Sequence, residues 1–425
     1  MQRKMYAITA VLLVVMSALA GCGSGNNPKE ESGSNAGEGK AKSVTLKMIG
    51  LTPPWADSVN QMVDEYEAAN PGVKIEFQIP PEDPYTLLKT RFASGDAPDI
   101  FHLSGTDIPA WADKLADLSD EPWMEHVLLE GVPLMTIDGK QAGFPLQMEG
   151  NGILYNKDLF EQAGITEIPT TLTELKQVVE QLDAAGIQSF GEAWANWGFL
   201  MHLLGVPFAY EADQAGFVHQ LNQGNKGFQD LANMDNFFTV LDLTVDHGFG
   251  GDSIAYDYNE QIKDFANGKM AMVKQGTWYT SVLLQQNPNL NMGMFAVPLN
   301  DDASQSKLLV STSGYFVVNK ESANLEESKK FLNWLHDHMG KYFVEQMKLM
   351  PVFDDVESGH LGPLYEDMNG YLEAGKTYDN YGVELWPAGF QTDIAKPLQA
   401  YIAGVSTKEE AIEELQKLWM QQLRN

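Results

Sequence analysis

The sequence predicts an α/β protein whose folded part is divided into two lobes. An apolar strand from Val44 to Ile49 precedes a helix pattern in which Ala56, Val59 and Tyr66 share one face, and apolar positions alternate again after Val73. This βαβα order indicates a mainly parallel sheet with helices on both faces. About 380 residues follow the N-terminal segment, more than one hydrophobic core usually serves, which favours two lobes.

Further elements follow the same rhythm. Two Ser/Thr-x-x-Glu patterns are typical of capping boxes, Thr171 with Glu174 and Ser406 with Glu409, so each predicts a helix start. The remaining predicted elements are a helix at Tyr85 to Ala93 and strands beginning near Ile100, Met270 and Tyr315.

The first 21 residues have the pattern of a secretory signal peptide. Arg3 and Lys4 supply positive charge, and Tyr6 to Ala20 is an apolar run shorter than the roughly 20 residues that a membrane-spanning helix needs. Leu19 to Cys22 resembles the bacterial lipobox, which predicts acylation of Cys22 and a lipid anchor on the membrane. The alternative is an ordinary signal peptide followed by a chance cysteine.

Residues 22–42 are predicted to be a flexible tether. The segment after Cys22 is rich in Gly, Ser, Asn, Glu and Lys and has no large apolar residue, so it cannot bury a core. Cys22 is the only cysteine of the chain, which excludes an internal disulfide bond.

The charge of the chain excludes some partners. With 58 acidic and 28 basic residues, the formal net charge is −30. Such a chain is not suited to nucleic acid or to anionic lipid head groups.

The sequence supports no catalytic centre, cofactor or metal site. Neither a Walker-type phosphate loop nor a G-x-S-x-G elbow is present. The eight histidines lack metal-ligand spacing, and His336 and His338 do not share a helix face. Acidic residues are so abundant that no glycosidase-like carboxylate pair can be singled out. We therefore expect a protein that is not an enzyme.

The tryptophans point to a ligand. Trp334 and Trp419 lie at apolar helical positions typical of a core, whereas others stand beside Pro, Gly or Asn, where loops are expected. An indole stacks on the apolar face of a sugar ring, so aromatic walls with a few polar groups suit carbohydrate. The alternative is that these rings only pack under loops. The tryptophans in loop contexts are Trp55, Trp194, Trp197, Trp278 and Trp386.

Several segments together resemble the bacterial extracellular solute-binding proteins that include maltose-binding protein. Ala93 to Phe101 is similar to their small-Gly-x-x-Pro-Asp segment. Phe144 to Phe160 resembles their first crossing between lobes and the strand after it. Phe265 to Ala271, followed by Gly276-Thr277-Trp278, is similar to their F-x-x-G-K-x-A-M and G-x-W signature. The motifs occur in the family's order and cover nearly the whole mature chain.

The resemblance implies a two-lobed periplasmic-binding-protein fold of type II, with the ligand in a cleft between the lobes. Residues 43–147 plus 312–355 would form the N-lobe, and residues 148–311 plus 356–425 the C-lobe. Crossings are expected near residues 146–150, 309–313 and 352–363. Such proteins close around a ligand by a hinge motion.

The resemblance also implies contact residues. Trp278 matches the family's stacking tryptophan, and Glu149 matches a position that often presents a carboxylate to sugar hydroxyls. The remaining expected contacts are less closely aligned, and they are Trp194, Asn196, Trp197, Trp55, Asp107, Trp386 and Phe390.

The sequence thus predicts a lipid-anchored, monomeric protein on the outer face of the cytoplasmic membrane. It would capture a di- or oligosaccharide and deliver it to ABC permease subunits with a cytoplasmic ATPase. The alternatives are a sugar sensor for a signalling partner and a surface glycosidase. Basic residues are scarce near the expected contacts, and no arginine or lysine is expected beside the loop tryptophans, so a neutral sugar is predicted.

Overall fold

A computed structural model describes residues 43–51, 55–80, 84–128, 132–379, 383, 385–387 and 389–424. The predicted signal peptide, Cys22 and the tether of residues 22–42 lie outside the described residues. Residues 43–425 form one compact unit. Within the described ranges, no helix combines the length and apolar character that a membrane span requires.

The first part of the chain follows the predicted βαβα order. Its elements are β1 (Val44–Ile49), α1 (Ala56–Ala69), β2 (Val73–Gln78), α2 (Pro84–Ala93), β3 (Ile100–Leu103) and α3 (Ile108–Trp111). Strand β1 lies between β2 and β3 and pairs with both in parallel. Val59, Met62 and Tyr66 of α1 are buried, as their helical spacing predicts.

The rest of the chain adds strands of very different length. The strands are β4 (Thr136–Ile137), β5 (Lys140–Gln141), β6 (Phe144–Asn156), β7 (Met272–Gly276), β8 (Met292–Phe295), β9 (Leu308–Val318) and β10 (Thr377–Asp379). The helices are α4 (Lys157–Gln162), α5 (Leu172–Ala184), α6 (Trp197–Ala209), α7 (Gln214–Asn222), α8 (Met234–Asp246), α9 (Tyr258–Ala266), α10 (Tyr279–Gln286), α11 (Leu325–Asp337), α12 (Pro363–Glu373), α13 (Phe390–Asp393), α14 (Ala395–Ile402) and α15 (Lys408–Gln422). A π-helical stretch, Gly340–Gln346, follows α11.

The long strands β6 and β9 join the sheet into one. Strands β6 and β9 form an antiparallel pair. Strand β9 also pairs with β3, and β6 also pairs with β7 and β8; these pairings are antiparallel as well. The expectation of a mainly parallel sheet therefore holds for β1 to β3 and is wrong around β6 and β9. Strands β6 and β9 run through the sheet in opposite directions, so they form an antiparallel ladder.

The two long strands pass from one hydrophobic cluster to another. Leu146 of β6 and Phe316 of β9 pack in a cluster with α1 and α11. Met148 of β6 and Val310 of β9 pack in a separate cluster with residues of α9, α10 and α12. This change of cluster occurs at the first two predicted crossings. The residue limits of the N-lobe and C-lobe stay a prediction.

Candidate functional site

Trp278 occupies the turn between strand β7 and helix α10, and a glycine makes room for its indole. A Cβ added at Gly276 would lie 2.2 Å from Cζ3 of Trp278 and 2.4 Å from the carbonyl oxygen of Gly150. No side chain fits there without moving the ring or the backbone. This close approach is the physical reason for glycine in the G-x-W pattern at this position.

The indole of Trp278 is partly buried and has defined neighbours. It stacks on the imidazole of His202 in helix α6, with ring centroids 4.9 Å apart and an interplanar angle of 29°. Its Nε1 donates a hydrogen bond to Oε1 of Gln275 at 3.2 Å. These two contacts fix the orientation of the ring before any ligand arrives.

A pair of hydrogen bonds brings Glu149 beside Trp278. The amide of Thr277 donates to the carbonyl of Gly150 at 2.9 Å, and the amide of Gly150 donates to Oγ1 of Thr277 at 3.1 Å. Glu149 immediately precedes this glycine and Trp278 immediately follows this threonine. The two residues that the motifs singled out, 129 positions apart, therefore flank one hydrogen-bonded pair.

The Glu149 carboxylate lies among polar side chains at the crossing of β6. Nε2 of Gln147 donates to Oε1 of Glu149 at 3.0 Å. Tyr365 of helix α12 is buried, hydrogen-bonds to Thr277, and lies near enough for Glu149 to influence it. Burial, with the negative charge of Glu149, raises the pKa of the Tyr365 phenol above its ordinary range. The phenol thus keeps its proton and remains a hydrogen-bond donor.

A buried lysine, Lys274, and a buried glutamate, Glu192, influence each other's charge, and Lys274 also influences the His202 ring that stacks on Trp278. Lys274 of β7 is 2% exposed and Glu192 is fully buried. The Lys274 ammonium donates to Oδ1 of Asn151, and the Lys274 amide donates to Oε1 of Glu192 at 2.7 Å. Burial lowers the pKa of Lys274 to about 7 and raises the pKa of Glu192 to about 7, because each charged form loses hydration.

Lys274 also influences the imidazole that stacks on Trp278. Burial, helped by the positive charge of Lys274, lowers the pKa of His202 to about 3, so His202 is neutral. The sequence predicted no lysine beside the loop tryptophans, yet Lys274 influences the histidine on which Trp278 stacks. Within the described part of the chain, Nδ1 of His202 and Nδ2 of Asn151 have no hydrogen-bond partner. These two buried nitrogen atoms could therefore still form hydrogen bonds near Trp278.

A hydrogen-bond chain extends from Trp278 into the C-lobe. Gln275, which accepts from the indole, donates through Nε2 to Oε1 of Gln261 at 2.9 Å. The Tyr279 hydroxyl donates to the same oxygen at 2.7 Å, and Nε2 of Gln261 donates to the carbonyl of Gly191 at 2.7 Å. This chain ties the tryptophan to helices α9 and α10, so its position does not depend on loop contacts alone.

Trp197 and Asn196 lie at the exposed start of helix α6. The Trp197 side chain is 43% exposed, which is unusual for an indole. Oδ1 of Asn196 accepts from the amide of Gly198 at 2.8 Å and caps the helix. Both residues stay candidates for ligand contact, on the same helix as His202.

Three predicted contact residues are core residues in the structure. Trp194 is fully buried, and its Nε1 donates to Oγ1 of Thr244 at 3.3 Å. Trp386 and Phe390 are buried and pack on each other and on Trp419, with centroids 4.8–6.3 Å apart. The core leaves these three side chains almost no surface for a ligand in this structure, which weighs against the prediction that they line the cleft.

Trp55 and Asp107, the two predicted contacts in the first part of the chain, have defined neighbours in the structure. Trp55 precedes helix α1, is partly buried and packs on the cluster that contains Phe316. The Ser104 hydroxyl donates to the Asp107 carboxylate, and burial together with Asp107 raises the pKa of Tyr85. Trp55 and Asp107 therefore remain candidates on the N-lobe, and Tyr85 joins them.

His102 of strand β3 is a further residue that sequence patterns did not single out. A Cβ added at Gly314 would lie 2.4 Å from its Nε2, so the imidazole packs directly against the backbone of β9. Burial lowers the pKa of His102 to about 4, which keeps the ring neutral. His102 is thus a neutral histidine next to the crossing strands, as His202 is a neutral histidine next to Trp278.

The fold and the family match below identify a two-lobed solute-binding protein. The profile of the bacterial extracellular solute-binding proteins matches residues 52–342, and the chain belongs to this family. Its resemblance to that family, inferred from motifs, is thereby confirmed.

Relatives of known ligand have modest sequence identity to this chain. The multiple sugar-binding protein of Streptococcus mutans is 24% identical over 316 residues, which cover 71% of this chain and 73% of the relative. The melibiose/raffinose/stachyose-binding protein MelE of Bacillus subtilis is 19% identical over 332 residues, which cover 76% of this chain and 75% of the relative.

Solved structures confirm the predicted fold class. The apo-form of RafE from Streptococcus pneumoniae superimposes with a TM-score of 0.77 at 20% identity, covering 91% of this chain and all of that chain. RafE in complex with raffinose gives a TM-score of 0.75, also at 20% identity, covering 89% of this chain and 100% of that chain. The chain thus has the two-lobed type II fold that the motifs implied.

Proposed function

We propose that this protein captures a neutral di- or oligosaccharide outside the cytoplasm and delivers it to an ABC importer. The observation that carries the proposal is the joining of Trp278 to Glu149 through the Gly150–Thr277 hydrogen bonds. An aromatic ring next to a carboxylate offers a stacking surface for a pyranose and strong acceptors for its hydroxyls. MelE is a melibiose/raffinose/stachyose-binding protein and RafE forms a complex with raffinose, and both support the same class of ligand.

The mechanism of the proposed function is binding without bond cleavage. A ligand that contacts both lobes stabilises the closed form by its higher affinity for that form. Glu149, Tyr365 and Trp278 would supply contacts from the crossing strands and the C-lobe, and Trp55 and Asp107 from the N-lobe. The closed form would be the one that the permease subunits accept.

A thermal-shift screen of residues 43–425 against a sugar library tests the proposal. A ligand present at a hundred times its dissociation constant adds about 2.7 kcal/mol to the free energy of unfolding. We expect stabilisation by one or more neutral oligosaccharides, verified by calorimetry, with the sugar recovered intact. Cleavage of the sugar would support the glycosidase alternative, and stabilisation by amino acids alone would exclude the sugar proposal.

The charge of the cleft predicts rejection of acidic sugars. Two like charges 4 Å apart repel by about 4 kcal/mol at an effective dielectric constant of about 20. A uronate beside Glu149 would meet such repulsion, while the Lys274 side chain is buried and its ammonium donates to Asn151. We expect calorimetry on matched neutral and acidic oligosaccharides to show the acidic one binding at least about tenfold more weakly.

The reverse result has a defined meaning. If the acidic member binds more tightly, then Lys274 or another cation faces the ligand, and Glu149 does not contact it. A Glu149→Gln variant tests whether Glu149 contacts the ligand, because glutamine removes the negative charge and keeps the size of the side chain and its ability to form hydrogen bonds.

The lipid anchor is proposed at Cys22, and its test is independent of the ligand. Cys22→Ala should abolish incorporation of a radiolabelled fatty acid, since the lipobox cysteine is the acylated residue. Ser24→Ala, two residues away in the tether, serves as the matched control and should label normally. Equal labelling of the wild type and the Cys22→Ala variant would exclude the anchor.

Delivery to a transporter is separated from sensing by a partner experiment. Permease subunits that co-purify with the liganded protein, and that hydrolyse ATP faster in its presence, would support import. Sugar uptake that persists after deletion of this protein would favour the sensor alternative.

A further inference from the structure

Four side chains from three distant parts of the chain meet on the N-lobe, away from Trp278. Nδ1 of His126 lies 3.0 Å from Oδ1 of Asp354 and 3.6 Å from Oδ2 of Asp355. Nε2 of His336 lies 3.1 Å from the other carboxylate oxygen of Asp355. One potential ligand atom from each of His126, Asp354 and Asp355 falls within 4.8 Å of the others.

We propose that His126, Asp354 and Asp355 form a binding site for a divalent transition-metal ion of the Zn²⁺ class, with His336 as the residue that positions Asp355. Zinc binds imidazole nitrogen and carboxylate oxygen at about 2.0–2.2 Å, which places neighbouring tetrahedral ligands about 3.3 Å apart. The His126 distances of 3.0 and 3.6 Å lie on either side of that value. One nitrogen and two oxygens leave a fourth position for water.

The backbone holds these ligands in place. Val127 and Phe353 form an antiparallel bridge, and the Asp354 amide donates to the carbonyl of His126 at 2.9 Å. The Leu128 amide donates to the carbonyl of Val352 at 2.9 Å. The segments that carry the imidazole and the two carboxylates are thus paired like strands, so little ordering is left for a metal to impose.

His336 is built to orient a carboxylate. Its side chain is only 11% exposed, and its ring packs edge-on against Phe353 at 4.7 Å. The His126 and His336 rings are nearly parallel, 5.9 Å apart. A fixed imidazole that holds one oxygen of Asp355 leaves the other directed toward His126, as outer hydrogen bonds do around metal ligands.

The donor set selects the class of ion. Calcium and magnesium prefer oxygen ligands alone, whereas an imidazole with carboxylates suits Zn²⁺ and its neighbours in the first transition series.

The site lies where the chain passes between two hydrophobic clusters. Phe353 packs in the cluster that contains Phe316, and Leu361 packs in the cluster that contains Met148. A metal at Asp354 and Asp355 would therefore fasten the N-lobe end of the third predicted crossing.

Calorimetry with Zn²⁺ alone, on the untagged, chelator-treated full chain in detergent, tests the site. We expect one Zn²⁺ per chain, loss of that binding in His126→Ala and in Asp355→Asn, and affinity about 10- to 100-fold weaker in His336→Ala. Co²⁺ bound at the same site should give the visible absorption of a four-coordinate centre. His360→Ala is the matched control, because His360 is fully exposed and lies 4.0 Å from Glu366, outside the cluster.

Several outcomes would overturn the proposal. One is Zn²⁺ binding that His126→Ala and Asp355→Asn leave unchanged, and another is an equal loss in His360→Ala. Tighter binding of Ca²⁺ than of Zn²⁺ would exclude the proposed class of ion. Thermal unfolding of each variant without metal separates lost ligands from lost folding, because Asp355→Asn keeps the size of the side chain. None of these results depends on the identity of the sugar.

Discussion

Replacing Trp278 with alanine should weaken sugar binding by about 30- to 1000-fold. Truncating a desolvated aromatic anchor typically costs roughly 2–4 kcal/mol. Trp278 is held by the stack on His202 and the hydrogen bond to Gln275, so its ring is already oriented for a ligand. Isothermal titration calorimetry with the sugar found by the thermal-shift screen measures the loss directly.

The control for this prediction is Trp278→Phe. Phenylalanine keeps an aromatic face over Gly276 but lacks the indole N–H that bonds to Gln275, so it should retain most of the affinity that alanine loses. Thermal unfolding of both variants shows whether the fold is intact. A loss below about threefold in a folded Trp278→Ala protein would make Trp278 a packing residue.

Local sequence patterns predicted most elements to within one or two residues, whereas strand β9 begins at Leu308, well before the predicted start near Tyr315. The strand Val44–Ile49 and the capping box of Thr171 with Glu174 are as predicted. The final helix is capped by Thr407 with Glu410, so the prediction of Ser406 with Glu409 is wrong by one residue. Both pairs satisfy the same pattern, and only the packing of the helix selects between them.

The tryptophans show where local context fails. Trp194, Trp278 and Trp386 all stand beside residues typical of loops, yet Trp194 and Trp386 are buried and Trp278 lies at the crossing strands. Loop composition indicates that a ring is outside regular structure. It does not indicate whether that loop covers a core, because the covering elements are distant in sequence.

Most of the functional features that sequence reasoning missed are contacts between distant segments. Tyr365 reaches Thr277 from a helix almost 90 positions later, and no pattern around it signals a ligand. His126 and His336 meet from 210 positions apart, although histidine spacing along the chain suggested no metal site. Lys274, only four residues before Trp278, could have been noticed from the sequence.

Removing the charge of Lys274 should lower the free energy of unfolding by about 3–5 kcal/mol. Lys274 and Glu192 are both buried and electrostatically coupled, and a buried charge that loses its counter-charge costs about this much. In Lys274→Met, the fully buried Glu192 loses the positive charge that lowers its pKa, so it must either keep an uncompensated charge or take up a proton, and both cost free energy at this pH. Urea unfolding near pH 7.5 measures the loss. Lys417→Met, at an exposed pair with Glu414, is the matched control and should change stability by less than about 0.5 kcal/mol.

The double variant Lys274→Met/Glu192→Gln separates the electrostatic coupling of these two residues from simple packing. With both charges removed, most of the loss should be recovered, because an apolar and a neutral polar side chain bear no uncompensated charge. Losses that simply add would show that Lys274 and Glu192 do not interact.

The pH dependence of stability gives a second check. Burial raises the pKa of Glu192 in the folded state, so stability linked to this carboxyl is fully present below its unfolded pKa and falls as the pH rises through the folded value. At pH 5 Glu192 holds its proton and has no charge to bury, so Lys274→Met should then lose much less stability than at pH 7.5.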